Sequence, residues 1–281
     1  FTTVRDCGAG DKLNLSMRDA IAKGWVDGPR IFAAGSVSTT GGHGDGTNGL
    51  NSKIQHLLDQ EANGIANSPD EIRRVVRQRY KDGADLIKIM ACHDTLEFTD
   101  EELRAVIDEA HRNNLPITAH ATYDACIERV ARFGVDCVEH GGSMSESTVA
   151  LLLEKKIPIV TTFAPLVQQS QPEVAKKFGI PDWKIEERQK AVANPARYEG
   201  LVRAAKAGVP IVFGTDAGSP AVEHDVIAPE LAHMVKVGVC ADAMDALASI
   251  TIRAARLSRM DSIIGTLEAG KAADLIVVDG N

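Results

Sequence analysis

The stretch Leu86-Ile-Lys-Ile-Met-Ala91 is a short apolar run that carries one charged side chain, Lys88. Three further stretches share this design and carry His120, His140 and Asp216 at or near their C-terminal ends: Pro116-Ile-Thr-Ala-His-Ala121, Cys137-Val-Glu-His-Gly141 and Pro210-Ile-Val-Phe-Gly-Thr-Asp-Ala217. Helical patterns separate the four runs, which predicts parallel strands joined by helices. In a parallel barrel the C-terminal ends of the strands converge on one face and form the active site. The sequence therefore predicts that these four side chains gather on one face of an α/β barrel.

Seven strands alternate with helical segments along the chain. The strands are predicted at 2–6, 30–35, 86–91, 116–121, 137–140, 158–164 and 210–215. The helices are predicted at 14–24, 68–82, 99–113, 123–133, 145–155, 183–207, 226–237 and 241–257. The stretches 36–67 and 164–182 are predicted to be long loops, and such loops are often functional. A (β/α)8 barrel needs eight strands and ~250 residues, so we predict a TIM-like barrel whose first strand is missing.

The two ends of the chain suggest the domain organisation. The segment Ile264-Gly-Thr-Leu-Glu-Ala-Gly-Lys-Ala-Ala-Asp-Leu-Ile-Val-Val278 breaks the strand–helix alternation and is predicted to form a turn and one strand of a separate small sheet. We therefore predict a hydrolase barrel over 1–262, with strands 2 to 8, and a remnant of a β-sandwich domain over 263–281. Because the chain starts at Phe1 in strand-like sequence, we expect it to be a fragment or a truncated form of a longer protein.

Composition restricts the classes of protein that are possible. The 281 residues carry a net charge of −8 and no basic run, so no nucleic-acid partner is expected. No apolar run reaches the length of a membrane-spanning helix, so no membrane partner is expected. The five cysteines are odd in number, widely spaced and without a Cys-x-x-Cys pair, which predicts free thiols in a reducing compartment. No signal peptide is visible in the sequence. We predict a cytoplasmic protein.

The four strand-end side chains have a metal-binding and a structural interpretation. Two imidazoles on neighbouring strands, His120 and His140, can share one zinc ion, although a single buried histidine is more often part of the core. Lys88 is either a lysine that reaches solvent from the sheet or a lysine carbamylated by CO2, which would become an anionic ligand that bridges two metals. Asp216 either caps a turn or binds a metal and accepts a proton from water. Four such groups together favour a metal-dependent hydrolase.

The chain resembles the amidohydrolase superfamily, and within it the imidazolonepropionase-related, prolidase-like branch. The resemblance runs in order along essentially the whole chain. It is carried by Phe1-Thr-Thr-Val-Arg-Asp6, Gly41-Gly-His-Gly-Asp45, Gly83-Ala-Asp-Leu-Ile-Lys-Ile-Met90, Ile117-Thr-Ala-His-Ala121, Val138-Glu-His-Gly141, Phe213-Gly-Thr-Asp-Ala-Gly218 and Gly265-Thr-Leu-Glu-Ala-Gly-Lys-Ala-Ala-Asp-Leu275.

The resemblance implies roles for individual residues. It implies a CO2-derived carbamate on Lys88 as the bridging ligand, with His120 and His140 on the more exposed metal. Asp216 would bind the other metal and serve as general base. His43 would contact the substrate carbonyl or carboxylate, and Tyr123 would polarise the scissile carbonyl. The alternatives are a solvated loop histidine and a packing residue at a helix start. The implied cofactor is a divalent metal, zinc, with one or two ions per chain.

The chain departs from the family pattern at its first strand. The family opens its barrel with a His-x-His strand that supplies two ligands, and this sequence contains no His-x-His. The segment Cys92-His-Asp-Thr-Leu-Glu-Phe98 is also shorter than the corresponding family loop. Because a barrel without its first strand has two unpaired edges, we expect homo-oligomers.

The function implied by the resemblance is metal-dependent hydrolysis of a small-molecule amide, with Xaa-Pro dipeptides first and dipeptides with a basic C-terminal residue second. One alternative is a truncated module that binds one divalent metal and has weak or no activity. Another is hydrolysis of cyclic amides or carbamates at the same site.

Overall fold

The computed structural model describes residues 1–46, 64–92 and 95–277, and the chain divides into two compact units, Phe1–Glu139 and His140–Asn281. Each unit contains parallel strands that lie in the order in which they occur in the chain. The two units are described in turn.

The first unit alternates strands and helices. Its strands are β1 (Thr3–Asp6), β2 (Arg30–Val37), β3 (Leu86–Met90), β4 (Ile117–Ala121) and β5 (Cys137–His140), which ends on the first residue of the second unit. Its helices are α1 (Leu13–Ala22), α2 (Pro69–Lys81), α3 (Asp100–Arg112) and α4 (Asp124–Phe133), and a 3-10 turn covers Gly10–Lys12. In the pairing of β3 with β4, Lys88 lies opposite Thr118, and Met90 lies opposite His120.

The second unit contains β6 (Ile159–Thr161) and β7 (Ile211–Phe213), which pair in parallel with Ile159 opposite Ile211. Its longer helices are α5 (Glu146–Glu154), α8 (Asp182–Ala193), α9 (Ala196–Ala207), α10 (Ile227–Lys236) and α11 (Ala243–Ile250). Its shorter helices are α6 (Ala164–Gln169), α7 (Pro172–Ala175) and α12 (Ile252–Leu257), and a 3-10 turn covers Lys176–Phe178.

Local sequence signals set the helix boundaries in the first unit. Ser68 precedes α2 and accepts a hydrogen bond from the Glu71 amide, and Thr99 and Glu102 form a full capping box before α3. Gly134 follows α4 in the left-handed conformation, with φ 98°, which glycine adopts without strain. All seven predicted strands and the helices of the first unit are confirmed within one to three residues.

Buried apolar side chains explain why the central strands are continuous hydrophobic runs. Leu86, Ile87 and Ile89 of β3 are at most 1% exposed, and Ile117 and Ala119 of β4 are fully buried. Strands of a parallel sheet are covered on both faces, so they do not show the alternating pattern of a half-exposed sheet. A buried lysine in such a strand is therefore conspicuous.

Two helix predictions and one loop prediction in the second unit were wrong in detail. The helix predicted over 183–207 is two helices, because Asn194 is extended before Pro195, as residues before proline usually are. The helix predicted over 241–257 is interrupted at Thr251. The loop predicted over 164–182 contains α6, α7 and a 3-10 turn, and Pro165 and Pro172 lie in the first turns of the two helices.

The C-terminal segment has no strand in the part that the structure describes, up to Val277. Ile276 and Val277 are 83% and 90% exposed. The end of the predicted strand, Val278, lies outside the described residues, as do residues 47–63 of the predicted long loop and His93 and Asp94 of the shortened segment. The predicted domain boundary at 262–263 stays a prediction.

The prediction of five free thiols was wrong. Cys92, directly after β3, forms a disulfide with Cys126 of α4, and their Cα atoms are 6.5 Å apart. Cys7, Cys137 and Cys240 are free. The argument for a reducing compartment, on which the cytoplasmic prediction partly rested, therefore loses its support.

Among the described residues, no helix is long and apolar enough to cross a membrane.

Candidate functional site

Lys88 lies in a buried polar cluster of the first unit. Lys88 and Glu139 are each 4% exposed. Arg5 of β1 places Nη2 2.5 Å from Glu139 Oε1, and the Thr118 hydroxyl donates a short hydrogen bond to the same oxygen. Thr118 lies opposite Lys88 in the sheet register. The lysine is therefore held in the sheet interior beside a buried ion pair. This arrangement is expected, because a lysine is almost never fully buried without a partner.

The cluster keeps its carboxylate charged and its thiols protonated. Burial alone would raise the pKa of Glu139, but the charges of Arg5 and Lys88 and the hydrogen bonds from Thr118 and Arg5 outweigh it, so the pKa lies below its ordinary value. Burial raises the pKa of Cys7 to about 11 and that of Cys137 to about 12. Neither thiol is a thiolate at neutral pH, so neither is a nucleophile.

His120 is in the C-terminal half of β4, where a metal ligand was predicted. Its ring centroid is 4.7 Å from that of His43, so the structure brings two of the predicted site residues together within the first unit. Tyr123 is the residue that precedes α4, three positions after His120, and has an extended backbone. The backbone oxygen of His120 lies 3.8 Å from Cys92 Sγ, which places the disulfide beside this strand end.

In the second unit, His140 and Asp216 share an unusual backbone conformation. Their φ angles are 72° and 54°. The left-handed region costs a residue with a side chain about 1–2 kcal/mol, and such strain concentrates at functional sites. His140 Nδ1 lies 2.6 Å from Thr162 Oγ1, and the Ser219 hydroxyl donates to Asp216 Oδ2 at 3.0 Å. Each side chain is thus oriented by a neighbouring hydroxyl at the end of its strand.

Helix α9 packs tightly against the segment that follows His140. A Cβ atom at Gly200 would lie 2.4 Å from the Gly142 carbonyl oxygen and 2.5 Å from the Met144 amide nitrogen. Arg203, one turn further along α9, donates from Nη1 to the Met144 carbonyl at 2.7 Å. Helix α9 therefore fixes the backbone of the residues that follow His140 in the chain.

The donor chemistry of the predicted residues fits a divalent metal, since two imidazoles and a carboxylate are zinc ligands. The Nδ1 contact of His140 supports this fit, because metal-binding histidines use their second nitrogen to hold the ring in place. Among the described residues, however, no three His, Cys, Asp or Glu side chains form a group that could hold a metal ion. A metal site that joins Lys88, His120, His140 and Asp216 therefore stays a prediction.

Four residues that surround the proposed site residues were not identified from the sequence. They are Arg5, Glu139, Thr162 and Glu230. Glu139 offered a signal, because an acidic side chain inside a buried parallel strand requires a cationic partner. Arg5 offered the same signal inside β1. Thr162 and Glu230 carried no such signal in the sequence, because their hydrogen-bond partners are distant along the chain. Glu230, for example, accepts a hydrogen bond from the amide of Phe163, 67 positions away.

Parallel strands joined by helices occur in both units, and imidazole, carboxylate and amine groups lie at or near the strand ends. These features define a parallel α/β protein of the TIM-like class, with candidate site residues at or near strand ends in each unit. The amidohydrolase family model matches residues 1–281, so the chain belongs to the amidohydrolase family.

Solved structures and curated sequences agree with this assignment. A crystal structure of an Xaa-Pro dipeptidase with bound methionine matches all of this chain and 70% of its own, with a TM-score of 0.84 and 37% identity. The predicted α/β TIM-like fold and the prolidase-like branch are confirmed.

Two curated sequences were also matched. An uncharacterised protein of Mycobacterium tuberculosis (strain ATCC 25618 / H37Rv) is 36% identical over 146 residues, which are 51% of this chain. Ochratoxinase of Aspergillus niger is 27% identical over 308 residues and all of this chain. The matches span 38% and 60% of those two relatives' lengths.

Proposed function

We propose that this chain carries the catalytic residues of a metal-dependent amide hydrolase that acts on Xaa-Pro dipeptides. The observation that carries the proposal is the likeness of the whole chain, at 37% identity, to a structure described as an Xaa-Pro dipeptidase. The alignment to ochratoxinase, which also spans the whole chain, supports the broader class of hydrolase and not one particular substrate.

The proposed metal ligands are the four strand-end residues identified in the sequence. His120 and His140 would bind through imidazole nitrogen and Asp216 through a carboxylate oxygen, and zinc accepts both kinds of ligand. Lys88 would contribute oxygen ligands as a carbamate formed with CO2. Its burial supports a specific role, because a lysine that is 4% exposed in a parallel strand is rarely kept without a function or a partner. One or two ions per chain would be bound.

The chain's own residues would perform the proton transfers. A bound divalent ion would supply Lewis acidity to the amide and to the attacking water. Asp216 would take the proton from that water at Oδ1 or Oδ2 and pass it to the leaving amine. The Ser219 hydroxyl, which donates to Oδ2, would limit rotation of the carboxylate. Tyr123 would donate to the scissile carbonyl, and His43 would contact the substrate carbonyl or carboxylate.

A second candidate function has one specific observation in its favour. The sequence contains no His-x-His pair, so two ligands of the buried metal position are absent from this chain. The alternative is therefore a module that binds one divalent metal and has weak or no turnover. Hydrolysis of cyclic amides or carbamates at the same site is a variant of the first proposal and differs from it only in substrate.

Metal content and turnover, measured on the same preparation, separate these functions. The chain would be expressed with zinc and bicarbonate, analysed for metal, and assayed with Xaa-Pro dipeptides, with dipeptides ending in a basic residue, and with cyclic amides. Zinc together with Xaa-Pro turnover supports the proposal. One zinc without turnover of any substrate supports the binding module. Turnover of cyclic amides alone would replace the dipeptide substrate.

The predictions of homo-oligomers and of a cytoplasmic location stay predictions. Sedimentation of the 30.0 kDa chain would test the first, since a stable monomer would contradict it.

A further inference from the structure

The contact between His140 and Thr162 has a consequence for the tautomer of the histidine. His140 Nδ1 lies 2.6 Å from Thr162 Oγ1, directly after β6. If Nε2 binds a metal, the ring proton must be on Nδ1, and Nδ1–H then donates to the threonine oxygen. A hydrogen bond of this kind fixes both the tautomer and the plane of a ligating imidazole.

The backbone that follows Thr162 is held by a buried carboxyl group. Glu230 of α10 is 2% exposed, and its Oε1 accepts a hydrogen bond from the Phe163 amide at 2.7 Å. The Ala164 amide also interacts with the Glu230 side chain and lowers its pKa. Its Oε2 is buried and has no hydrogen-bond partner among the described residues. Burying a carboxyl group with one unsatisfied oxygen costs free energy. A polar side chain kept at such a cost is a candidate for a specific positioning function.

Aromatic packing holds the same turn from a second side. The Phe163 ring lies edge-on to Tyr198 and His233, with centroids 5.5 Å and 5.2 Å away. His233 is one helical turn after Glu230, so α10 supplies both the carboxylate and one of the rings. The turn after β6 is therefore held both through its backbone amides and through the Phe163 side chain. As a result, the Thr162 hydroxyl has a defined position.

We propose that Thr162 is a positioning residue for the candidate metal ligand His140, and that Glu230 positions Thr162 by holding the two amides that follow it. The inference rests on the proposed metal-binding function and deepens it. It assigns to α10, which supplies none of the proposed ligands, control over the geometry of one of them. Neither Thr162 nor Glu230 is expected to contact substrate.

The first test compares Thr162→Val with Thr162→Ser and with Thr161→Val. Valine keeps the shape but removes the hydroxyl, whereas serine keeps the hydroxyl. Thr161 is the matched control, because it is the fully buried last residue of β6, directly before Thr162, and its hydroxyl has no partner among the described residues. The readouts are the zinc dissociation constant from chelator competition and the visible spectrum of the Co2+-substituted protein.

We expect Thr162→Val to weaken zinc binding by about 10- to 100-fold and to change the Co2+ spectrum, since loss of an outer partner of a ligating histidine has effects of that size. Thr162→Ser should restore wild-type behaviour, and Thr161→Val should retain it. Wild-type zinc affinity in Thr162→Val, or equal loss in all three variants, would overturn the inference.

The second test concerns Glu230. Glu230→Gln keeps an oxygen that can accept the two amides and should leave zinc affinity within about threefold of wild type, whereas Glu230→Met should weaken it about as Thr162→Val does. If the methionine variant does not fold, Glu230→Asp gives the decision, because the shorter side chain withdraws the carboxyl oxygen from the Phe163 amide and should weaken zinc binding, whereas wild-type affinity in that variant would overturn the role of Glu230. Glu230→Met that folds and binds zinc normally would overturn the role of Glu230.

These outcomes separate the inference from the proposed function. A wild-type chain that binds no metal under any condition overturns both. A wild-type chain that binds zinc, with affinity insensitive to Thr162, overturns only the inference.

Discussion

Asp216 is the residue on which the proposed chemistry depends most directly. It is exposed, follows β7 in a left-handed conformation and accepts the Ser219 hydroxyl. An exposed carboxyl that makes one such hydrogen bond contributes little to folding, so its loss should separate activity from stability.

We predict that Asp216→Asn lowers kcat for an Xaa-Pro dipeptide by about 10²- to 10⁴-fold, because the amide cannot accept the proton from water. The free energy of unfolding should change by less than about 0.5 kcal/mol, since the site is exposed. Initial rates and urea denaturation measure the two quantities. Asp261→Asn, an exposed carboxyl of the same unit, is the control. Retention of kcat within threefold would rule out Asp216 as the general base.

Glu230 gives a prediction about pH. Burial raises the pKa of Glu230 to about 8, against the smaller opposite effect of the Phe163 and Ala164 amides. The unfolded carboxyl has a pKa of about 4.3. Between these values the folded chain holds a proton that the unfolded chain lacks. The free energy of unfolding therefore falls as pH rises, by up to about 1.4 kcal/mol per pH unit, and levels off above the folded pKa.

Urea denaturation of wild type and Glu230→Gln from pH 5 to 8.5 tests this prediction. The glutamine variant should be about as stable as wild type at pH 5 and more stable at pH 8, because it cannot ionise. The other titratable groups that face Glu230 are Tyr198 of α9 and His233 of its own helix, and both remain in the variant. Parallel curves for the two proteins would show that Glu230 is not protonated in the folded chain.

Individual residues show how far sequence reasoning reaches the site. Lys88, His120, His140 and Asp216 were recognisable because each is a polar group at or near the end of an apolar run. Whether they share a metal stays a prediction. Thr162 and Glu230 were not recognisable, because a hydroxyl after a strand and a carboxylate on a helix are both common. Only the folded structure shows that Thr162 contacts His140 and that Glu230 holds the backbone amides that follow Thr162.

At the scale of elements, the sequence predicted strands better than helix ends. Apolar runs between glycine and proline signals identified all seven strands, since a buried parallel strand leaves few alternatives. The helix predicted over 183–207 failed because a continuous helical pattern was given more weight than Pro195, which prevents Asn194 from continuing the helix. The helices within 164–182 are four to six residues long, too short for a periodic pattern.

Helix α9 gives a prediction that opposes helix propensity. Alanine is normally about 1 kcal/mol better than glycine inside a helix. At Gly200, however, the new methyl group would lie 2.4 Å from the Gly142 carbonyl oxygen. We therefore predict that Gly200→Ala lowers the free energy of unfolding by about 1–3 kcal/mol, as overpacking does.

Urea denaturation measures this effect, with Glu199→Ala, on the exposed surface of the same helix, as the control. Because Gly142 follows His140 by two residues, zinc affinity should fall together with stability. A stabilised Gly200→Ala variant would contradict the close approach of the helix.

At the scale of the whole molecule, the disulfide changes the expected behaviour of the chain. Cys92 and Cys126 are 34 positions apart and join the end of β3 to α4. Sequence alone could not give this pair, because spacing does not determine connectivity. The link encloses β4 and therefore His120, so the first unit should depend on it.

We predict that Cys92→Ser combined with Cys126→Ser lowers the free energy of unfolding by about 2–4 kcal/mol, the usual range for a cross-link that closes a loop of this length. Unfolding curves of the oxidised wild type and the double variant measure the difference. Thiol labelling after denaturation should find three reactive cysteines without reductant and five with it. Five thiols in the untreated protein would show that the link is absent.

The left-handed backbone at Asp216 also affects how this chain would respond to directed evolution. Glycine would remove a conformational cost of about 1–2 kcal/mol, against about 0.5–1 kcal/mol for its greater freedom in the unfolded chain. Selection for heat tolerance alone should therefore accumulate glycine at position 216 and lose the proposed base. Selection that also demands turnover should keep the aspartate, so libraries evolved with and without that demand should diverge at this codon.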